Sequence, residues 1–128
     1  MVSVDELSSK GSPECREAFA YLREQLRAQQ NVTESVDYEP LKEAEAPSYN
    51  ISETPRVRAF FGEKLELFLF IPENSVSKIK EDLSVPETLR AWVDRAQRGG
   101  MSRLLRVQLG SRKDVEVLMP LIKAIIRQ

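Results

Sequence analysis

The spacing of apolar positions changes along the chain, and each spacing predicts a different element. Ser12-Pro13-Glu14 has the form of a helix start, with Ser at the N-cap, Pro at the first helical position and an acid in the first turn. The apolar residues that follow recur at helical spacing, which predicts a helix over residues 13–29 with one buried face. That face consists of Cys15, Ala18, Phe19, Leu22 and Leu26.

A hairpin is predicted where Gly62-Glu63-Lys64 separates the apolar-rich runs 56–61 and 65–71. A three-residue turn sets apolar residues opposite each other, whereas a two-residue turn would set arginines beside leucines, because a one-residue slip moves every side chain to the other face. We therefore predict the three-residue turn, with the pairs Val57–Leu69, Ala59–Leu67 and Phe61–Leu65. The second strand is apolar on both faces, which predicts cover on both sides of it.

The rest of the pattern predicts shorter or less regular elements. Residues 32–38 alternate as in a strand, the acidic and Pro-bracketed residues 39–48 favour a loop, and Tyr49 and Ile51 favour a short strand. We expect Pro120 to kink or split the last helix, which Ser111 and Asp114 begin with a form of capping box. Beyond the hairpin the predicted elements are helices over 75–83 and 86–98, the second ending at Gly99-Gly100, a strand over 102–109 and a helix from 111 onward.

These elements predict an α+β fold in the order α-β-(β)-β-β-α-α-β-α. We expect one mostly antiparallel sheet of four or five strands with helices packed on it. Residues 1–11 are polar and predict a frayed N-terminus, and residues 12–128 predict a single domain. A lone cysteine, no apolar run of membrane-spanning length and no signal-peptide pattern together predict a cytoplasmic location.

Charge divides the chain into two opposed parts. Residues 1–89 hold 10 Lys and Arg against 17 Asp and Glu, a net charge of −7, whereas residues 90–128 hold 9 against 3, a net charge of +6. A surface with this much local charge indicates an oppositely charged partner. The candidate partner- or phosphate-binding residues are Arg95, Arg98, Gly99, Gly100, Arg103, Arg106, Arg112 and Lys113.

The residue types present argue against catalysis. The chain has no histidine, which removes the commonest general base and metal ligand. Cys15 lies on the apolar face of its helix and is interpreted as a core residue. The acids between residues 34 and 45 lack the spacing of a calcium loop and are interpreted as a solvated acidic segment. We therefore expect no catalytic residue, no metal site and no cofactor.

A family resemblance covers residues 13–128. The segments KLELFLFI and RLLRVQLGSRKDVEVLMPLIKAII resemble a small uncharacterised bacterial and archaeal α+β domain. That domain occurs alone or at the C-terminus of restriction-nuclease-like and predicted transport proteins. The resemblance implies an auxiliary domain near nucleic acid, although this chain lacks the family's turn histidine and has a longer connection over 86–98. The matching positions are Leu65-Leu67-Leu69, Gly99-Gly100, Val107-Leu109 and Ser111-Asp114-Val115.

Two functions remain open from the sequence. In the first, the chain is a non-catalytic interaction module that associates with itself as a homodimer, or with a protein partner, through its acidic and basic patches. Phe60, Phe68 and Phe70 would then supply apolar contact. In the second, the segment from Arg90 to Lys113 contacts nucleic-acid phosphates. A structural alternative is that these arginines pair with the acids of residues 34–53. No membrane contact is expected.

Overall fold

The computed structural model describes residues 2–128 and shows one antiparallel sheet with helices on one face. Two short 3₁₀ turns lie at Glu73–Ser75 and Val93–Arg95. The helices are α1 (Val4–Ser8), α2 (Pro13–Arg27), α3 (Val76–Lys80), α4 (Glu87–Trp92) and α5 (Arg112–Ile126). The strands are β1 (Val32–Glu39), β2 (Ala44–Ile51), β3 (Thr54–Phe61), β4 (Leu65–Pro72), β5 (Gln97–Gly99) and β6 (Ser102–Leu109).

The strands lie in the order β1-β2-β3-β4-β6-β5, and every neighbouring pair is antiparallel. The α+β class and the antiparallel sheet are confirmed, but the expected four or five strands are wrong, because the described chain has six. The main core forms where α2 and α5 pack against each other and against the sheet. Ser12 caps α2 as predicted, since its Oγ accepts a hydrogen bond from the amide of Cys15 at 3.1 Å.

The predicted hairpin register is confirmed. Val57 lies opposite Leu69, and Phe61 lies opposite Leu65, which leaves residues 62–64 as a three-residue turn. Leu65, Leu67 and Leu69 are fully buried on the helix side. Burial therefore determines the register of this hairpin, because the alternative two-residue turn would have placed arginines in the core.

The connection from α4 to β6 differs from its prediction. A helix was predicted over residues 86–98, but α4 ends at Trp92 and residues 97–99 pair with β6 as the extra strand β5. Gly100 has a φ of +74° and stands first in the two-residue turn Gly100-Met101, where a tight hairpin favours glycine. The glycine pair therefore forms a hairpin and does not end a helix.

Two other segments also differ. Strand β2 begins at Ala44, inside the predicted loop 39–48, and only residues 40–43 connect it to β1. Residues 4–8, predicted to be frayed, form α1, whose Val4 and Leu7 are buried. Met1 lies outside the described residues. Pro120 stands inside α5 without splitting it.

The second face of the sheet has no helix over it and is covered by its own long side chains. Phe68 is fully buried there, and Phe60 nearly so. The Arg106 guanidinium lies 4.8 Å from the centroid of the Phe68 ring, and the Lys42 ammonium lies 5.4 Å from that of Phe60. Cations on aromatic faces thus shield a small second cluster from water. Between Val2 and Gln128, no helix is long and apolar enough to cross a membrane.

Candidate partner-binding site

Strand β6 is paired along its whole length on one side and only partly on the other. β4 pairs with all of residues 102–109, whereas β5 pairs only with residues 102–104. Residues 105–109 therefore form an open strand edge, and no other described main-chain group bonds to its outer side. An open edge presents unpaired N–H and C=O groups to any strand that approaches.

A shallow groove of about 460 Å³ runs along this open edge. Trp92, Arg95 and Gln97 line it on one side, and Arg106 lines it from β6. Trp92 is half-buried against the main core, so part of its ring faces the groove. We call the open edge of residues 105–109, together with Arg95 and Arg106, the basic edge.

The two arginines of the basic edge have no ion-pair partner. Among residues 2–128, no carboxylate lies within 4 Å of Arg95 or Arg106. Both are exposed. Their charge is therefore available to an acidic group that comes from outside the chain.

The predicted site residues fall into three places. Arg95 and Arg106 lie at the basic edge, and Gly99 and Gly100 lie where β5 ends and its turn to β6 begins. Arg98 pairs with Arg103, so its side chain lies on the helix side of the sheet. The remaining three candidates, Arg103, Arg112 and Lys113, do not join the basic edge either.

Arg103 is used inside the fold. Its guanidinium donates to both carboxylate oxygens of Glu73 at 2.9 Å and to the carbonyl of Val93 at 3.2 Å. These hydrogen bonds raise the pKa of Arg103 and lower the pKa of Glu73. Only 6% of the residue is exposed, because odd positions of β6 face the helix layer. Arg103 therefore ties β6 to the turns around α3 and α4.

Arg112 and Lys113 begin α5, on the helix side of the sheet. Arg112 stacks 4.5 Å from the centroid of Tyr21 and pairs with Glu116 at 3.2 Å. Lys113 lines a different groove, beside the acids Glu14 and Glu17 of α2. These two residues thus lie in an acidic neighbourhood, away from the basic edge.

The acids of β1 are held by cations from the first part of the chain. Arg23 donates to Glu34 at 2.9 Å, and Arg58 donates to Glu39 at 2.9 Å and lies 3.7 Å from Asp37. Within residues 2–128, no arginine of the 90–113 segment pairs with an acid of residues 34–53. The structural alternative weighed from the sequence therefore does not occur within one molecule.

Sequence reasoning missed the open edge itself and gave no role to Trp92 or Gln97, which line the groove. Gln97 lies inside the helix predicted over residues 86–98. The alternation of residues 102–109 was visible, but the length of its neighbour was not, because β5 is three residues long and has no apolar pattern of its own. The available signal was Gly100, since glycine is favoured at the first position of a two-residue hairpin turn.

In the described part of the chain, no three carboxylate or thiol groups cluster closely enough to hold a metal ion. Comparisons of the chain with protein-family models, with curated proteins and with solved structures found no match. The family resemblance of residues 13–128 therefore stays a prediction.

Proposed function

We propose that this protein is a non-catalytic interaction module that binds an extended, acidic segment of a protein partner along the basic edge. The observation that supports it is an open strand edge over residues 105–109, with two arginines beside it, Arg95 and Arg106, that have no carboxylate partner in residues 2–128. A strand added to such an edge gains main-chain hydrogen bonds, and the side chains next to the edge select its sequence.

The charge and shape of the groove support an acidic, extended partner. Carboxylates of an added strand would meet Arg95 and Arg106, and a basic segment would be repelled. An apolar side chain would lie against the exposed part of Trp92. The phenylalanines expected to supply that contact are poorly suited to it, since Phe68 is fully buried beneath Arg106, Phe60 is only 8% exposed and Phe70 lines a different groove.

A second copy of the chain is a less favoured partner for the basic edge. The acidic strand β1 lies at the opposite edge of the sheet, and its Glu34 and Glu39 are already bound by Arg23 and Arg58. Pairing the β1 edge of one copy with the basic edge of the next would also be a head-to-tail contact, which extends without closing unless its rotation forms a ring.

Nucleic acid is the alternative partner, because free arginines beside a glycine turn also suit phosphates. The overall charge makes it second. The chain has a pI of about 5.6, whereas nucleic-acid-binding domains commonly exceed about 9.

Fluorescence anisotropy with three labelled probes tests this function: a (Val-Glu)₃ peptide, a (Val-Lys)₃ peptide and a mixed-sequence DNA oligonucleotide. We expect the acidic peptide to bind at least about tenfold more tightly than the basic one. Reversal of charge in Arg95→Glu/Arg106→Glu should weaken that binding by about 30-fold or more. The matched control is Arg16→Glu/Arg27→Glu, on exposed residues of α2 that make no ion pair in the described chain.

Hydrogen exchange then tests the mode of binding. Alternate amides of residues 105–109 should become protected when the acidic peptide binds, since an added strand bonds to every second residue. Tighter binding of DNA, with an affinity that falls steeply with salt, would instead establish the nucleic-acid function. Light scattering that shows salt-sensitive oligomers, with no peptide binding, would indicate self-association.

A further inference from the structure

A second groove, of about 960 Å³, lies at the other end of the long strands and has no part in the proposed partner binding. Its walls come from the start of β3, the end of β4, the turn before α3 and the end of α5. Phe70, Pro72 and Met101 give it an apolar side. Arg56, Lys78 and Arg127 bring three cations to the same space.

Arg56 stands where the pairing of β2 with β3 shifts by one residue, between Tyr49 and Asn50. Only 9% of Arg56 is exposed. Its Nη2 donates to the carbonyl of Gln128 at 3.2 Å, but its Nε is buried without a partner, and no described carboxylate lies within 4 Å. Burial lowers the pKa of Arg56, yet a guanidinium stays protonated in proteins.

A buried cation without an ion pair is costly, so the structure should offer some compensation. The main-chain oxygen of Gln128, two residues past the end of α5, supplies part of it. This contact uses one donor of the guanidinium and leaves the buried Nε without an acceptor. The guanidinium of Arg56 therefore has hydrogen-bonding capacity left for a further acceptor.

The remaining charges of the groove are not balanced from within. Lys78 makes no ion pair in the described chain, and Arg127 pairs with Asp82 at 3.0 Å. Glu73 is the one acidic residue lining the groove among residues 2–128, and both of its carboxylate oxygens are bound by Arg103. The groove thus has an excess of positive charge next to an aromatic and proline-lined wall.

We propose that this groove binds a small organic anion, in which a carboxylate or phosphate group is joined to a flat apolar body. Arg56 and Lys78 bind the anionic group, and Phe70 and Pro72 contact the apolar body. The volume lies within the range of small-molecule sites, and the groove sets an apolar side next to converging charged groups.

Amide chemical shifts of ¹⁵N-labelled protein test this site, with phenyl phosphate, benzoate, inorganic phosphate and phenol as probes. We expect saturable shifts in the amides of residues 54, 56, 73–78 and 127–128 with phenyl phosphate or benzoate, and whichever of these two probes binds more tightly identifies the anionic group. That probe should bind at least about tenfold more tightly than inorganic phosphate or phenol, because each of these lacks one half of the recognition.

Variants assign the binding to the two cations. Arg56→Gln should weaken the aromatic anion by about 10- to 100-fold, the range for a lost hydrogen bond to a charged group. Lys78→Gln should weaken it by about threefold to tenfold. Lys78 is exposed and makes no hydrogen bond in the described chain, so this variant tests the site even where Arg56→Gln unfolds. Lys10→Gln, on an exposed residue outside the groove, is the matched control.

Three results would overturn the proposal. One is the absence of saturable shifts with any anionic probe up to its solubility limit. Another is phenol binding as tightly as phenyl phosphate and benzoate. The third is an equal effect of Lys10→Gln and Lys78→Gln. Failure of the acidic peptide at the basic edge would leave this test unaffected, because the two sites share no lining residue.

Discussion

The two edges of the sheet carry opposite charges and use them differently. At the β1 edge, Glu34 is bound by Arg23 and Glu39 by Arg58, each at 2.9 Å, so the acids are neutralised within the molecule. At the basic edge, the arginines meet no carboxylate anywhere in residues 2–128. The acids of β1 are thus balanced by cations of the same fold, whereas Arg95 and Arg106 have no carboxylate partner in residues 2–128.

The same contrast divides neighbouring arginines of β6. Arg103 faces the helix layer, where Glu73 and a main-chain carbonyl bind it. Arg106 faces the other side, lies on the Phe68 ring and is exposed. The three-residue offset between them moves a side chain from one face of a strand to the other. The number of arginines in a segment therefore overestimates the size of its binding surface. One must also know which face of the sheet each strand position points to.

The largest expected effect comes from removing a cation at the β1 edge. In Arg58→Met the carboxylate of Glu39, which is only 5% exposed, loses its ion pair. Breaking a buried pair from one side is strongly destabilising, so we expect the free energy of unfolding to fall by about 3 kcal/mol. Urea unfolding at neutral pH measures this value.

The matched substitution at the other edge is Arg95→Met. Arg95 is exposed and has no ion pair in the described chain, so its loss should change the free energy of unfolding by less than about 0.5 kcal/mol. Equal costs for the two variants would contradict the difference between the edges. A costly Arg95→Met would show that the basic edge, too, is bound within the molecule.

A smaller effect, and one that depends on pH, is expected at Glu34. Burial alone would raise the pKa of Glu34, but hydrogen bonds from Arg23 and Tyr49 outweigh it and leave the pKa below its usual value. A carboxyl with a lowered folded pKa stabilises the fold above its unfolded pKa, about 4.3, and this contribution disappears as the pH falls through the folded pKa.

Tyr49→Phe removes one of those bonds, in which the phenol oxygen lies 2.8 Å from Glu34. We expect the free energy of unfolding to fall by about 1 kcal/mol at neutral pH. This loss should shrink below about pH 4, because Glu34 then becomes protonated in both the wild type and the variant. Unfolding by urea across this pH range gives the two curves. Tyr38→Phe, on an exposed tyrosine without a hydrogen bond in the described chain, is the control. If the difference in the free energy of unfolding between the wild type and Tyr49→Phe stays constant as the pH falls, Glu34 is not its source.

Sequence reasoning succeeded where burial decides the structure. The pairing of Val57 with Leu69 followed from the faces of two apolar strands, and α2 followed from its cap and its apolar spacing. It failed at β5 and at the start of β2, where polar residues are held in a strand by pairing with a neighbour. Local pattern contains no information about such pairing, because a polar edge strand gains its stability from the strand beside it.

The candidate site was predictable in its charge and not in its geometry. The basic segment was visible from composition, but its division among the basic edge, the buried Arg103 and the start of α5 depends on the fold. Arg56 gave no signal at all, since its burial results from a shift in pairing between β2 and β3. A buried arginine of this kind can be identified as a candidate binding residue only from the structure, which shows which hydrogen-bond partners it lacks.

The smallest expected effect would come from moving an acid to the basic edge. Gln97 pairs with Leu104, so its side chain lies diagonal to Arg106 on the same face, within reach of long side chains. Gln97→Glu should raise the free energy of unfolding by about 0.3 kcal/mol, as exposed ion pairs do. It should also weaken the acidic peptide by about threefold, because Arg106 is then partly neutralised.

The control for this variant is Gln30→Glu, which changes net charge equally at an exposed position between α2 and β1. Peptide affinity should be unchanged in this control when measured at moderate salt, because charges farther apart than about 10 Å are screened. Equal weakening by both variants would assign the effect to overall charge. Unchanged or tighter binding by Gln97→Glu would mean that no carboxylate of the peptide meets Arg106, and the partner would then have to bind elsewhere than along residues 105–109.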